Sequence, residues 1–437
     1  MMVIFCLFFM TPLLIMNNMM LTCQFVFIIL LMFFIMNFNI YSFFSYISYN
    51  MGVDNISYFL IILSFVICSL MILSLSNSFN LNSFLFLVLL LMFLLYMIFC
   101  SLISLFMYIY IEFILIPLMV MILGWGYQPE RLLAGLYLFF YTLFASLPLF
   151  LLIMMIYLNY GLMFLDSMHF MNINMFFMYL SSILAFLVKF PMYMFHFWLP
   201  KAHVQAPVFG SMILAGLTLK IGGYGLIRLM MMFEYMYMSY SYIWFSLSMY
   251  GSLIVGLICL VQGDIKCLIA YSSVSHMGMC LMGLMTMTWW GLLGSYLLMI
   301  GHGFCSSCLF YMSNILYTRT GSRSFFINKG MLYYMPGSAF LWFIFCLFNM
   351  SCPPSINFIS EVFIITSMMN YWLSSMIYFV MISFLSACFS YYLFSYTHHG
   401  LYHSLYSHSS MMVKEYLNVM LHLFPLMGFL FMLFYII

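Results

Sequence analysis

Four ionisable side chains, Glu112, Lys189, Lys220 and Glu361, lie deep inside apolar stretches of a 437-residue chain in which only 4% of residues are charged. A charge at the middle of a membrane helix costs about 2.5–3.5 kcal/mol on insertion scales, so such groups line a water-accessible path or meet a partner inside a helix bundle. His276 and His302 fall near the middle of two further apolar runs. Burial disfavours the charged form of a lysine and a carboxylate partner restores it. Moving that partner therefore loads or unloads a proton near neutral pH. Glu112 is the expected partner of Lys189. Histidine relays protons in either direction near neutrality, and a buried acid such as Glu361 can end the relay. Mid-span lysines are rarely structural. A lone mid-span histidine can serve only as a hydrogen-bond donor, so the case for His276 and His302 is the weaker one.

Composition says what must hold these groups. Hydrophobic residues make up 68% of the chain and the mean hydropathy is +1.19, which marks an integral membrane protein. The longest polar connections, near 39–57, 159–175, 314–336 and 397–415, are too short for a soluble domain of ordinary size. No separate nucleotide or iron–sulfur domain fits. The formal net charge of +2 comes from scattered basic residues and implies no nucleic acid. The 12 cysteines show no disulfide or metal spacing. Cys305 and Cys308 form a C-x-x-C inside an apolar run and read as packing residues. His398, His399, His403 and His408 share a polar connection, but their spacing fits no structural zinc pattern, and they read as solvated loop residues. Glu130 and Arg131 read as surface or subunit contacts. His196 and His203 flank the loop after Lys189, where gating and structural roles both stay open. The stretch 1–16 lacks a basic region and a cleavage site, and reads as a retained first span.

A helix needs about 20 apolar residues to cross a bilayer. The runs give about fourteen spans, near 1–16, 23–38, 57–76, 84–102, 105–124, 132–158, 175–194, 207–230, 242–261, 267–287, 290–313, 337–370, 372–396 and 416–436. They lack the alternation of a β-barrel, so the expected fold is an all-α polytopic membrane protein. Connections after odd-numbered spans carry Arg131, Lys201, Lys266, Arg319, Arg323, Lys329 and Lys414, whereas those after even-numbered spans hold Asp54, Asp166 and Glu234, with Arg228 near a helix end. This bias puts the odd connections on the negative side and both termini on the other.

Spans seven and twelve are interrupted, at Val188-Lys189-Phe190-Pro191 and at Ser351-Cys352-Pro353-Pro354 with Glu361 just beyond. Proline removes a backbone donor and frees a carbonyl, which a membrane tolerates only where protein or water satisfies the freed group. The breaks lie five spans apart, so the second copy is inverted. Paired broken helices of this kind point to a transporter's ion site. The expected organisation is one transmembrane domain over 1–437 with inverted five-helix repeats at 84–230 and 242–396. Lys220 lies near the centre of span eight in Leu219-Lys220-Ile221-Gly222-Gly223-Tyr224-Gly225, where glycines permit close approach of a helix or water.

These residues carry a resemblance. Glu112-x4-Pro117, Trp125-Gly126-Tyr127-Gln128-Pro129-Glu130-Arg131-Leu132 and Lys189-Phe190-Pro191 resemble the chain 4 family of mitochondrial NADH:ubiquinone oxidoreductase, respiratory complex I. So do His196-Phe197-Trp198-Leu199-Pro200-Lys201-Ala202-His203-Val204, Leu219-Lys220 to Gly225, Ile269-Ala270-Tyr271-Ser272-Ser273-Val274-Ser275-His276-Met277, His302-Gly303 and Pro353-Pro354-x-Ile356-Asn357. The match spans nearly the whole chain. It implies an antiporter-like, proton-translocating subunit of the membrane arm, in the mitochondrial inner membrane, with both termini on the intermembrane-space side. It implies proton transfer by Glu112, Lys189, Lys220 and Glu361, with His276 and His302 on the connecting hydrophilic axis. Partners would be other membrane-arm subunits, including neighbouring antiporter-like ones, and membrane lipids. This chain would bind no cofactor, while NADH, FMN, iron–sulfur clusters and ubiquinone act elsewhere in the complex. Gln205 departs from the pattern, which has Glu after the His-Val pair. Two rivals fit the buried residues alone: a free-standing cation/proton antiporter, and a purely structural membrane subunit.

Overall fold

A computed structural model describes residues 2–12, 20–37, 45–75, 81–161, 164–165, 175–401 and 409–436. Asp166, His403 and His408 lie outside the described residues. In chain order the helices are α1 (Met2–Phe9), α2 (Met20–Asn37), α3 (Asn55–Leu73), α4 (Leu81–Cys100), α5 (Ser104–Phe113), α6 (Leu115–Trp125), α7 (Arg131–Tyr160), α8 (Phe176–Lys189), α9 (Trp198–Gln205) and α10 (Val208–Ile213). After a π-helical turn over Leu214–Thr218 come α11 (Leu219–Met232), α12 (Glu234–Val261), α13 (Ile265–Met285), α14 (Trp289–Thr320), α15 (Met331–Tyr334), α16 (Pro336–Asn349), α17 (Ile356–Tyr371), α18 (Ser375–His398) and α19 (Val413–Ile436).

Helix is the form in which an apolar run satisfies its own backbone in lipid. The many serines fit because their hydroxyls donate back to a carbonyl one turn earlier, as Ser273 does to Ala270 at 2.6 Å and Ser360 to Asn357 at 2.6 Å. Glycines in the left-handed region stop α7 at Gly161 and α14 at Gly321, with φ of 66° and 67°. Ten helical stretches among the described residues are long and apolar enough to cross a membrane. The short α1, the α8 segment, the broken pair α16–α17 and α19 occupy the places of the other expected spans. The connection at 39–57 also contains a two-stranded antiparallel hairpin, β1 (Ser45–Ser48) and β2 (Met51–Val53), which the sequence reading did not anticipate.

The chain divides into two compact units: Met1–Lys189, Gln205–Ile213 and Lys220–Met236 form the first; Phe190–Val204, Leu214–Leu219 and Tyr237–Ile437 form the second. In the first, α3 and α4 are largely buried, and α7 turns Phe140, Phe144, Leu147, Leu151, Met155 and Leu158 outward. Their spacing of three or four residues is one helix face, suited to lipid or a neighbouring subunit. In the second, α13 and α14 are buried along most of their length and pack against each other.

Arg228 and Asp54, placed by the sequence near a helix end and in a connection, pair in the interior: both are buried, and Arg228 Nη1 meets Asp54 Oδ2 at 2.5 Å. The guanidinium also lies 4.8 Å from the centre of the Tyr224 ring. Both residues belong to ends expected on one side, so the pair leaves the sign of the charge bias intact. Lys266 is buried in the first turn of α13 rather than in a connection. His398 is not a solvated loop residue. It is buried at the end of α18, with ring centroids 4.8 Å from Phe394 and 5.4 Å from Trp342. No metal-ligand cluster occurs among the described residues.

Candidate functional site

In the first unit the break in span seven places Lys189 on the last turn of α8. Pro191 two residues on cannot continue the helix. Lys189 Nζ lies 3.0 Å from Glu112 Oε1 and donates to the Ile111 carbonyl at 3.3 Å. Pro117 explains why Glu112 sits at a joint: it has no N–H for the Phe113 carbonyl, and α5 ends at Phe113 before α6 resumes at Leu115. Glu112 is thus held at a helix joint against a lysine at a helix end. Its second oxygen, Oε2, is buried and meets no hydrogen-bond partner among the described residues. One oxygen fixes the lysine while the other stays open to a further proton donor.

Lys220 is fully buried on α11. The π-helical turn over Leu214–Thr218 ends one residue before Leu219. Such turns loosen the i→i+4 ladder, which proline and glycine rules do not anticipate. Gly225 explains the local packing: a methyl group there would overlap the Phe186 ring of α8. The missing side chain lets the lysine-bearing helices α8 and α11 come close. Tyr224, one turn after Lys220, donates its hydroxyl to the Phe99 carbonyl at 3.1 Å.

In the second unit, α13 and α14 bring His276 and His302 together, with ring centroids 5.6 Å apart and planes tilted by 47°. Both are buried. Gly301 is a close-approach position: a methyl group there would strike the Asn357 side chain of α17. That side chain in turn donates to the Phe348 carbonyl at 2.9 Å, and Cys305 Sγ lies 3.4 Å from the Phe345 carbonyl. These two residues from α17 and α14 occupy carbonyls near the end of α16, where the chain leaves the helix. Cys305 is therefore more than a filler of space.

Glu361 is buried on α17 and accepts a short hydrogen bond from the Ser351 hydroxyl. Ser351 has φ of 60°, a left-handed conformation that a non-glycine residue rarely adopts. The peptide bond between Pro353 and Pro354 is cis. The second break thus delivers a hydroxyl to the acid, a contact that sequence reasoning missed because nothing marks one serine among many.

The flanking residues also find places. His203 stacks on Phe310 with centroids 4.7 Å apart, and His196 on Phe197 at 4.7 Å; both histidines are buried. Gln205, the departure from the resembled pattern, donates to Glu130 Oε2 at 3.3 Å. The first unit holds an acid and two amines under apolar cover and the second holds imidazoles and an acid, which suits proton transfer within each.

Two family models match the chain. The description "NADH-ubiquinone oxidoreductase chain 4, amino terminus" covers residues 1–99 and "NADH:quinone oxidoreductase/Mrp antiporter, TM" covers residues 101–390. The chain is 48% identical over 408 residues to NADH-ubiquinone oxidoreductase chain 4 of Ceratitis capitata, covering 92% of this chain and 91% of that one. It is 53% identical over 390 residues to the protein of that name from Aedes aegypti, covering 87% and 86%. It superposes on a chain of respiratory complex I from Thermus thermophilus with a TM-score of 0.87 at 22% identity, covering 97% and 93%. A chain of an archaeal membrane-bound sulfane sulfur reductase matches with a TM-score of 0.85 at 21% identity, covering 98% of this chain and 75% of that one. At these identities the two solved structures speak for the fold.

Proposed function

The chain belongs to the NADH-ubiquinone oxidoreductase chain 4 family, and on that footing we propose that Glu112, Lys189, Lys220, His276, His302 and Glu361 carry its protons. It is a multi-pass membrane subunit of respiratory complex I and works with other subunits of the membrane arm. The redox cofactors lie in other subunits. We read its setting as the mitochondrial inner membrane, with both termini on the intermembrane-space side and neighbouring antiporter-like subunits beside it. Inverted repeats over 84–230 and 242–396 would place the two broken helices in equivalent positions.

The observation that carries this reading is the Glu112–Lys189 pair, 3.0 Å apart where two interrupted helices meet. An acid beside a buried amine can load a proton, because separating the two would change which form of the amine is stable. Family membership weighs against the free-standing antiporter. A purely structural subunit would have no use for so many buried ionisable groups, each expensive to bury.

Glu361→Ala tests the far end of the path. In the assembled complex it is expected to lower proton pumping driven by NADH oxidation by roughly tenfold or more, since loss of a positioned proton-transfer group usually costs about a hundredfold in the step it serves. Proton uptake into sealed vesicles, measured against NADH consumption, gives the answer. Normal pumping by a correctly assembled variant would remove Glu361 from the path.

A further inference from the structure

The seam between α14 and α19 holds a titratable group that the path above does not use. His422 has no exposed surface. Its Nδ1 lies 2.8 Å from the backbone carbonyl of Asn418, one turn earlier on α19. A carbonyl can only accept, so Nδ1 carries the hydrogen, and in the neutral ring Nε2 is then a bare lone pair. That Nε2 is buried and meets no hydrogen-bond partner among the described residues. A buried acceptor left unmet lowers stability, so packing alone does not account for a histidine here.

Glu415, Asn418 and His422 recur at three and four residues, so they share one face of α19 and form a polar seam. α19 packs against α14 and α17, the helices that carry His302 and Glu361. Near the end of α14, Arg319 grips Glu415 at the start of α19, with Nη2–Oε2 at 2.6 Å and Nη1–Oε1 at 3.2 Å. The same guanidinium holds the Ser409 and Ser410 carbonyls at 3.0 and 3.1 Å, which closes that end of the seam around a charge. Further along the two helices the buried Tyr311 hydroxyl reaches the side chain of Asn418. These contacts show that α14 and α19 run antiparallel. At a rise of 1.5 Å per residue, His422 lies about 10 Å along α19 from Glu415, and His302 about 13 Å along α14 from Tyr311. Polar groups thus recur from the Arg319–Glu415 end toward the depth of His302.

We propose that His422 is a further proton-transfer residue, receiving protons from water at the Arg319–Glu415 end of the α14–α19 seam and passing them toward His302 and Glu361. The inference rests on the proton-carrying role proposed above. Nε2 binds the incoming proton and the ring becomes an imidazolium. One proton then leaves to the next base and the ring returns to neutral, with no electrons moved. The odd-numbered connections, to which Arg319 and Glu415 belong, are on the side that the charge bias makes negative, and an outward proton pump takes up its protons from that side.

The test compares His422→Leu, His422→Asn and Lys220→Ala in the assembled complex in sealed vesicles. Asparagine puts an amide nitrogen near the place of Nδ1 and keeps the bond to the Asn418 carbonyl, but it cannot carry a proton. Both His422 variants are expected to lower NADH-driven proton uptake by roughly tenfold, a smaller loss than removal of an obligatory transfer group causes, because other uptake routes persist. Normal uptake by both overturns the inference, and so does rescue by asparagine where leucine fails, which would mean a structural bond. If the leucine variant does not assemble, the asparagine variant decides alone. Normal pumping by Lys220→Ala as well would sink the parent reading. Loss in Lys220→Ala with normal uptake in the His422 variants sinks this inference only.

Discussion

Lys220→Ala is expected to abolish proton pumping coupled to NADH oxidation while the complex still assembles. Lys220 is fully buried on α11, and alanine is the best helix former, so the helix keeps its local preference. Removing a buried amine also removes the cost of taking it out of water. Stability should therefore change far less than transport. What is lost is the one amine at this point of the path, and no alanine atom can bind a proton. A drop of about a hundredfold or more in the transfer step is the expected scale. Native-gel abundance measures assembly, and vesicle acidification against NADH consumption measures pumping. An assembled variant that pumps at the normal proton-to-electron ratio would show that Lys220 is not on the path.

Glu112→Ala should damage both pumping and stability, for a different reason. Lys189 is buried, and its contact with Glu112 is an ion pair at 3.0 Å. Breaking a buried pair by deleting one partner typically costs about 3–5 kcal/mol, because the other charge is left without compensation. Pumping falls as well, because the lysine no longer has a carboxylate whose approach or withdrawal could change its charge. The double variant Glu112→Gln with Lys189→Met removes both charges and should recover much of the stability, but none of the pumping. Thermal unfolding of the purified complex and vesicle acidification separate the two effects. Recovery of pumping in the double variant would show that the pair is structural.

The sequence displayed those features that break a rule of apolar helices. Charges in greasy runs marked Glu112, Lys189, Lys220 and Glu361, and prolines marked the joints at 191 and 353. Glu112 was the expected partner of Lys189, and the two lie 3.0 Å apart. Contacts between residues remote in the chain left no local trace. Asp54 and Arg228 stand 174 positions apart near helix ends, with nothing in the sequence to join them, yet they pair in the interior. Ser351 and Asn357 belong to types too common in this chain to stand out, although one holds Glu361 and the other caps the end of α16. The π-helical turn before Lys220 depends on packing that a hydropathy pattern does not record. His422 sits in the last apolar run, three residues before Pro425 and with no charge run beside it, and only its burial and bonding single it out.

Ordered water in the assembled complex offers the most direct measurement. High-resolution density around Lys189, Lys220, His276, His302 and Glu361 is predicted to show water molecules bridging successive groups in at least one state of the turnover cycle. If dry hydrocarbon separates these side chains in every state, protons do not travel this way.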